Sequence, residues 1–148
     1  LPAEVLKTAD LDNGRALFTK HCGACHKMFG DGGDTAPELT GSQRTSLDYV
    51  FENVLDPSAV VPNEYRLVNF TMSDGRLVSG IVLKETPAAV TVRTVNDTFV
   101  LSAADIESRK QTSQSIMPEG LLDALKPDEV RDLVAYLGTP HQVPVPKK

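Results

Sequence analysis

The sequence predicts an α+β chain: a mainly helical core built from both chain ends, interrupted by a small inserted antiparallel β module. Two periodicities carry this expectation. Near both ends, apolar residues recur at three- and four-residue steps, as a helix buried along one face requires. Between Tyr65 and Leu101 the period shifts toward two, with β-branched residues and turn dipeptides suited to hairpins.

The first helix is expected from about Leu11 to the cysteines, capped by Asp10 or Asp12, with Leu11, Gly14, Phe18 and Cys22 on one face. A loop rich in Gly, Asp and Pro spans Gly30 to Gly41. Thr45-Ser46-Leu47-Asp48 signals the next helix, with an apolar stripe of Leu47, Val50, Phe51 and Val54, and Asp56-Pro57 stops it. In the β module, Val68, Phe70 and Met72 share a strand face, and Asp74-Gly75 reads as a type I′ turn. Further strands are expected at Leu77–Leu83, Val90–Val95 and Thr98–Leu101. Leu121, Leu122 and Leu125 suggest a short helix. Pro127 opens the last one, whose stripe is Val130, Leu133, Val134 and Leu137, and Gly138 ends it. The expected boundaries are 1–59 and 111–140 for the discontinuous core, 60–110 for the β module and 141–148 for a flexible tail.

At 148 residues the chain holds one ordinary domain, or a small one with a sizeable insertion. Aromatic residues make up only 5% and tryptophan is absent, so an apolar cofactor would supply bulk that side chains do not. A net charge of −5 opposes nucleic-acid binding, which needs a basic surface. No apolar run reaches the roughly 18 residues of a membrane span. Leu1 in place of a methionine leads us to expect a processed or excised chain.

Both cysteines lie in Cys22-Gly23-Ala24-Cys25-His26, the signature for covalent attachment of one haem c. Cysteines three apart share a helix face, so both sulfurs can add to the two vinyl groups on one porphyrin edge. His26 then lies beneath the iron. A thioredoxin-like pair would follow a strand in a βαβ unit, and a zinc site would need a second pair of ligands; neither pattern is present. For the sixth ligand, Met117 is the best candidate, in a Met-Pro loop just ahead of the terminal helices, and a His/Met pair suits electron transfer. Met28 lies too near His26, and Met72 belongs to a strand. Among the other histidines His21 sits on the attachment helix, and His141 remains an alternative ligand.

Together these segments resemble class I cytochromes c: Gly14-Arg15-Ala16-Leu17-Phe18 before the cysteine motif, Ala36-Pro37-Glu38-Leu39-Thr40-Gly41, and Met117-Pro118 with the last helix. More narrowly, the chain from about Asp12 to Leu137 resembles the haem-binding domain found at the C-terminus of large planctomycete and verrucomicrobial proteins. Leu55-Asp56-Pro57-Ser58-Ala59-Val60, Asp74-Gly75-Arg76 and Met117-Pro118-Glu119-Gly120-Leu121-Leu122 carry that likeness. The resemblance implies that the Pro37 carbonyl accepts the proximal histidine's Nδ1–H and that Leu39 packs on the porphyrin. It also implies that Gly14 and Phe18 mark where the first helix crosses the last, against Tyr136 or Leu137. Ala36 departs from the glycine usual before the proline, and Lys126 from the usual Ser or Thr cap. The Asp74-Gly75 hairpin also resembles small Sm-like or SH3-like barrels, but acidic residues throughout oppose a nucleic-acid role by that route.

The reading that follows is a monohaem electron carrier with His26/Met117 ligation, either free or the redox domain of a larger oxidoreductase. Its partner would be a redox protein or fused oxidoreductase domains. Haem attachment outside the cytoplasm implies a periplasmic or otherwise extracytoplasmic location. The alternatives are a gas sensor or peroxidase-like module with a labile sixth ligand, and an interaction role for the β module. Lys20 and Lys27 flank the motif and are candidates for steering an acidic partner.

Overall fold

The Asp10 side chain accepts the Asn13 backbone N–H at 3.0 Å, and this cap starts the first long helix. In the computed structural model, which describes residues 3–144, a one-turn helix α1 (Ala3–Leu6) precedes that helix, α2 (Leu11–His21). A two-stranded hairpin follows, β1 (Lys27–Met28) with β2 (Asp31–Gly32), then α3 (Leu47–Leu55), capped by Ser46. The chain divides into two compact units. The first takes both chain ends, up to Asp56 and from Glu119; the second is Pro57–Pro118.

The first unit is closed by α4 (Pro127–Leu137), which packs on α2. Glycine at position 14 sets their distance: a Cβ there would meet the Asp132 carbonyl oxygen and lie 2.7 Å from the Tyr136 Cβ. Beside that contact the Phe18 and Tyr136 rings pack at 5.6 Å between centroids. Leu17, Phe18, Met28, Val50, Leu133, Tyr136 and Leu137 form the core of this unit. Asp132, only 3% exposed, pins the start of α2, accepting the Asp10 N–H and the Asn13 side-chain amide, each at 2.9 Å. Lys126 has no acceptor with which to cap α4. Glu129 compensates by accepting the Lys126 N–H at 3.0 Å, half of a capping box.

In the second unit five strands form one antiparallel sheet: β3 (Arg66–Met72), β4 (Leu77–Glu85), β5 (Ala89–Arg93), β6 (Thr98–Ser102) and β7 (Ile106–Ser115), in the order β6-β5-β4-β3-β7. Val68, Phe70, Met72, Val90, Val92 and Leu101 line its inner face. The chain enters and leaves the unit side by side, because Ser115 N–H donates to Ser58 Oγ and Ile116 N–H to the Tyr65 carbonyl, each at 3.0 Å. This unit carries six acidic and six basic residues, so the net charge of −5 falls entirely on the first.

The expectation of a mainly helical core with only a small β insertion is corrected. Helix and strand each account for 28%, and the largest single element group is the five-stranded sheet. Two segments produce the difference. Strand β7 runs from Ile106 through Ser115, past the boundary set at 110, and its sequence IESRKQTSQS shows no apolar alternation. It is an edge strand, where charged side chains deter pairing with other chains. The short helix expected at Leu121–Leu125 is only a pair of turns, closed by Asp123 N–H to Gly120 O and Leu125 N–H to Leu122 O. The hairpin at 73–76 also differs from type I′. Only Gly75 has a positive φ, 89°, and its N–H closes on the Met72 carbonyl, giving a longer loop with one left-handed glycine. Of the expected tail, residues 145–148 lie outside the described residues.

Candidate functional site

Helix α2 does not stop cleanly at the cysteines. Cys22 and Gly23 both donate to the Phe18 carbonyl, at 2.8 and 2.7 Å, and Cys25 and His26 donate to the Cys22 carbonyl, at 3.2 and 2.9 Å. This continued turn keeps Cys22, Cys25 and His26 in helical succession, with both thiols free. The loop beyond is laced onto the backbone of the motif. Gly33, Ala36 and Leu39 donate in turn to the carbonyls of Gly23, Cys25 and Lys27, at 2.8, 2.9 and 2.8 Å. Glycines make this possible, since a Cβ at Gly32 (φ 121°) would strike the His26 carbonyl and one at Gly33 the Ala24 carbonyl.

The lacing delivers the Pro37 carbonyl oxygen to 2.8 Å from His26 Nδ1. A carbonyl can only accept, so the proton resides on Nδ1 and the Nε2 lone pair is left free for a metal. Burial pulls the imidazole pKa below its ordinary value, while the bond to Pro37 pulls it the other way, so His26 is neutral near pH 7. Burial, and then the neighbouring Cys25 charge, push the Cys22 thiol up to about 11. A dithiol redox motif works through a depressed thiol pKa, so this environment opposes that chemistry.

Cys22 opens onto a cleft whose other walls are His21, α3 residues Val50, Phe51 and Val54, the 119–126 segment at Leu121 and Leu122, and α4 residues Leu133, Val134 and Leu137. Phe51, Val54, Leu121 and Leu122 are each only half-buried. A flat apolar group bonded to Cys22 would cover them, so the residues present fit a haem. Leu39 packs on the same core. The structure thus gathers Cys22, Cys25, His26, Pro37 and Leu39 in the first unit. Met117 belongs to the second, where its N–H donates to Ser115 Oγ at 3.1 Å. His141 and Lys20 are exposed, and Met28 and Met72 are buried in the cores of their respective units.

Residues 9–67 match the family model described as cytochrome c oxidase, cbb3-type, subunit III. The match supports a class I cytochrome c-like domain over this stretch, with covalently bound haem c and a role in electron transfer. It spans α2, the cysteine motif, the Pro37 loop and α3. No curated protein matches the chain. No helix among the described residues is long and apolar enough to cross a membrane.

Two supports of the site have no motif in the sequence. Phe29 takes a left-handed φ of 52°, held by its N–H bond to Thr40 Oγ1 at 2.8 Å and by the Arg44 guanidinium 4.8 Å from its ring. Arg44 also donates to the carbonyls of Leu137 and Thr139 at 2.6 and 2.7 Å, and to that of Thr40. One side chain therefore joins the histidine loop to the end of α4. Gly32 and Gly33 are the second support; their signal was a Gly-Gly pair in a loop, which by itself says only that the backbone turns.

Proposed function

We propose that the chain is a monohaem c-type cytochrome that transfers single electrons outside the cytoplasm, to a redox protein or to fused oxidoreductase domains. The observation that carries the reading is the 2.8 Å contact between His26 Nδ1 and the Pro37 carbonyl, immediately after two cysteines of which the first opens onto an apolar cleft. Haem, when bound, supplies an iron that gains and loses one electron.

The chain's own residues hold and shield it. Cys22 and Cys25 would hold the haem through thioether bonds. His26 presents Nε2 in a fixed orientation because Pro37 occupies Nδ1. Leu39 and the walls of the cleft exclude water, which favours the less charged oxidation state. Met117 would be the second side chain to hold the iron. It lies two residues before Glu119, where the chain re-enters the haem-binding unit. If His26 and Met117 both held the iron, redox change would need little rearrangement, and only Glu119 stands close to Met117 in sequence as an acid–base candidate for peroxidase chemistry. The narrower kinship with planctomycete and verrucomicrobial haem-binding domains belongs to the same proposal.

The test is made on protein matured with haem-attachment machinery. Denatured protein should show the mass of the chain plus one haem. The ferric form should show a weak near-infrared sulfur-to-iron band, and Met117→Ala should remove it and admit carbon monoxide to the ferrous form. A mass equal to the bare chain would overturn haem attachment. Rapid stoichiometric carbon monoxide binding by the unaltered protein would overturn the Met117 assignment and favour a sensor.

A further inference from the structure

The second unit holds an open groove that electron transfer does not use, of about 320 Å³, at the solvent-exposed margin of the sheet's inner face. Register places it there. Gln111 pairs with Val68, Arg109 with Phe70, and Glu85 with Val90, so all three polar residues share the face of the apolar core. Arg109 on β7 reaches over β3 to Glu85 on β4 with two bonds, at 3.1 and 3.0 Å. Val68 and Val82 line the groove's apolar side, and Glu64 and Arg66 line it from the 3-10 turn and the start of β3.

We propose that this groove binds a free α-amino acid with an apolar side chain, its carboxylate on Arg66 and its ammonium on Glu64. The four charged side chains lining it divide into two kinds. Arg109 and Glu85 satisfy each other in a forked pair. Glu64 and Arg66 are of opposite charge and line one groove, yet neither forms an ion pair among the described residues. An acid and a base that share a groove without bridging it match a molecule carrying both complementary charges. Arg66 is already oriented, because its Nε donates to the Val61 carbonyl at 3.2 Å and leaves the two terminal nitrogens for a carboxylate. The lining has no net charge, so a simple anion or cation would meet repulsion from one member of the set as well as attraction from the other. Val82, half-buried beside the core residue Val68, gives a small aliphatic side chain a surface to cover.

The haem-loaded chain is titrated with L-leucine, with isocaproate, which lacks the ammonium, and with isoamylamine, which lacks the carboxylate. Binding is followed by calorimetry and by backbone amide shifts. Leucine should bind saturably and move the amides of Glu64, Arg66 and Gln111, and each analogue should bind at least about tenfold more weakly. Glu64→Gln and Arg66→Lys should each weaken leucine about tenfold while leaving the haem spectrum unchanged. Glu64 is on an exposed turn, so that variant decides the matter even if the Arg66 change disturbs the sheet. Equal binding of isocaproate, an unaltered affinity in Glu64→Gln, or no saturable binding at millimolar leucine would each overturn the proposal.

Discussion

Gly14 is where two opposing effects can be weighed. In an isolated helix, alanine would stabilise the position by about 1 kcal/mol over glycine. Here the added carbon would meet the backbone carbonyl of Asp132, which cannot swing aside as a side chain could. Overpacking of that kind costs about 1–3 kcal/mol, so Gly14→Ala should lower stability and Gly14→Val should lower it further. Denaturant midpoints of the haem-loaded protein would measure both.

Asp132 makes a pH-dependent contribution. Burial alone would raise its pKa, but the bonds from Asn13, from the Asp10 backbone and from Arg131 outweigh it and hold the carboxyl below its usual value. A depressed folded pKa means the stabilisation is fully present above the unfolded value and is lost as pH falls through the folded one. Asp132→Asn should therefore cost about 1–3 kcal/mol at neutral pH. The gap between variant and parent should close below about pH 4. A gap that stayed constant down to pH 2 would show that charge plays no part.

Among the elements, those that announce themselves are the ones whose signals are local. Asp10 before Leu11, and Pro127 with Glu129 before an apolar stripe, are legible because caps act within four residues. The cysteine motif is legible for the same reason, since one helical turn contains all its chemistry. Strand β7 is hidden because an edge strand packs few of its side chains: Glu107 through Gln111 are all exposed. Arg44 is hidden because its partners are carbonyl oxygens, which every residue possesses. Its three-way clamp on Thr40, Leu137 and Thr139 needs a planar fork. Arg44→Lys should thus lose nearly as much stability as Arg44→Met, about 1–3 kcal/mol, and should raise hydrogen exchange from Leu39 through Ser46. Full rescue by lysine would mean that charge alone suffices.

At the scale of the whole molecule, the two units should be separable. The second enters and exits at Ser58 and Ser115, which touch, so a short linker has little distance to cover. Replacing Pro62–Ser115 with such a linker should leave haem attached at Cys22 and Cys25, since shortening a loop alters closure entropy only slowly. Absence of haem from that variant, matured alongside the parent, would show that the sheet contributes to the site. The same touching ends bear on how the chain assembles. The pairs β3–β4, β4–β5 and β5–β6 join strands adjacent in sequence, whereas α2 and α4 meet across long separations, such as the 122 residues between Asp10 and Asp132. Local contacts form fastest, and distant ones must first overcome the entropy of the intervening chain. Once the sheet has formed, Ser58 and Ser115 are fixed together, and the two halves of the haem-binding unit become near neighbours on a short tether. The inserted sheet then acts as a clasp that raises the effective concentration of α4 at α2.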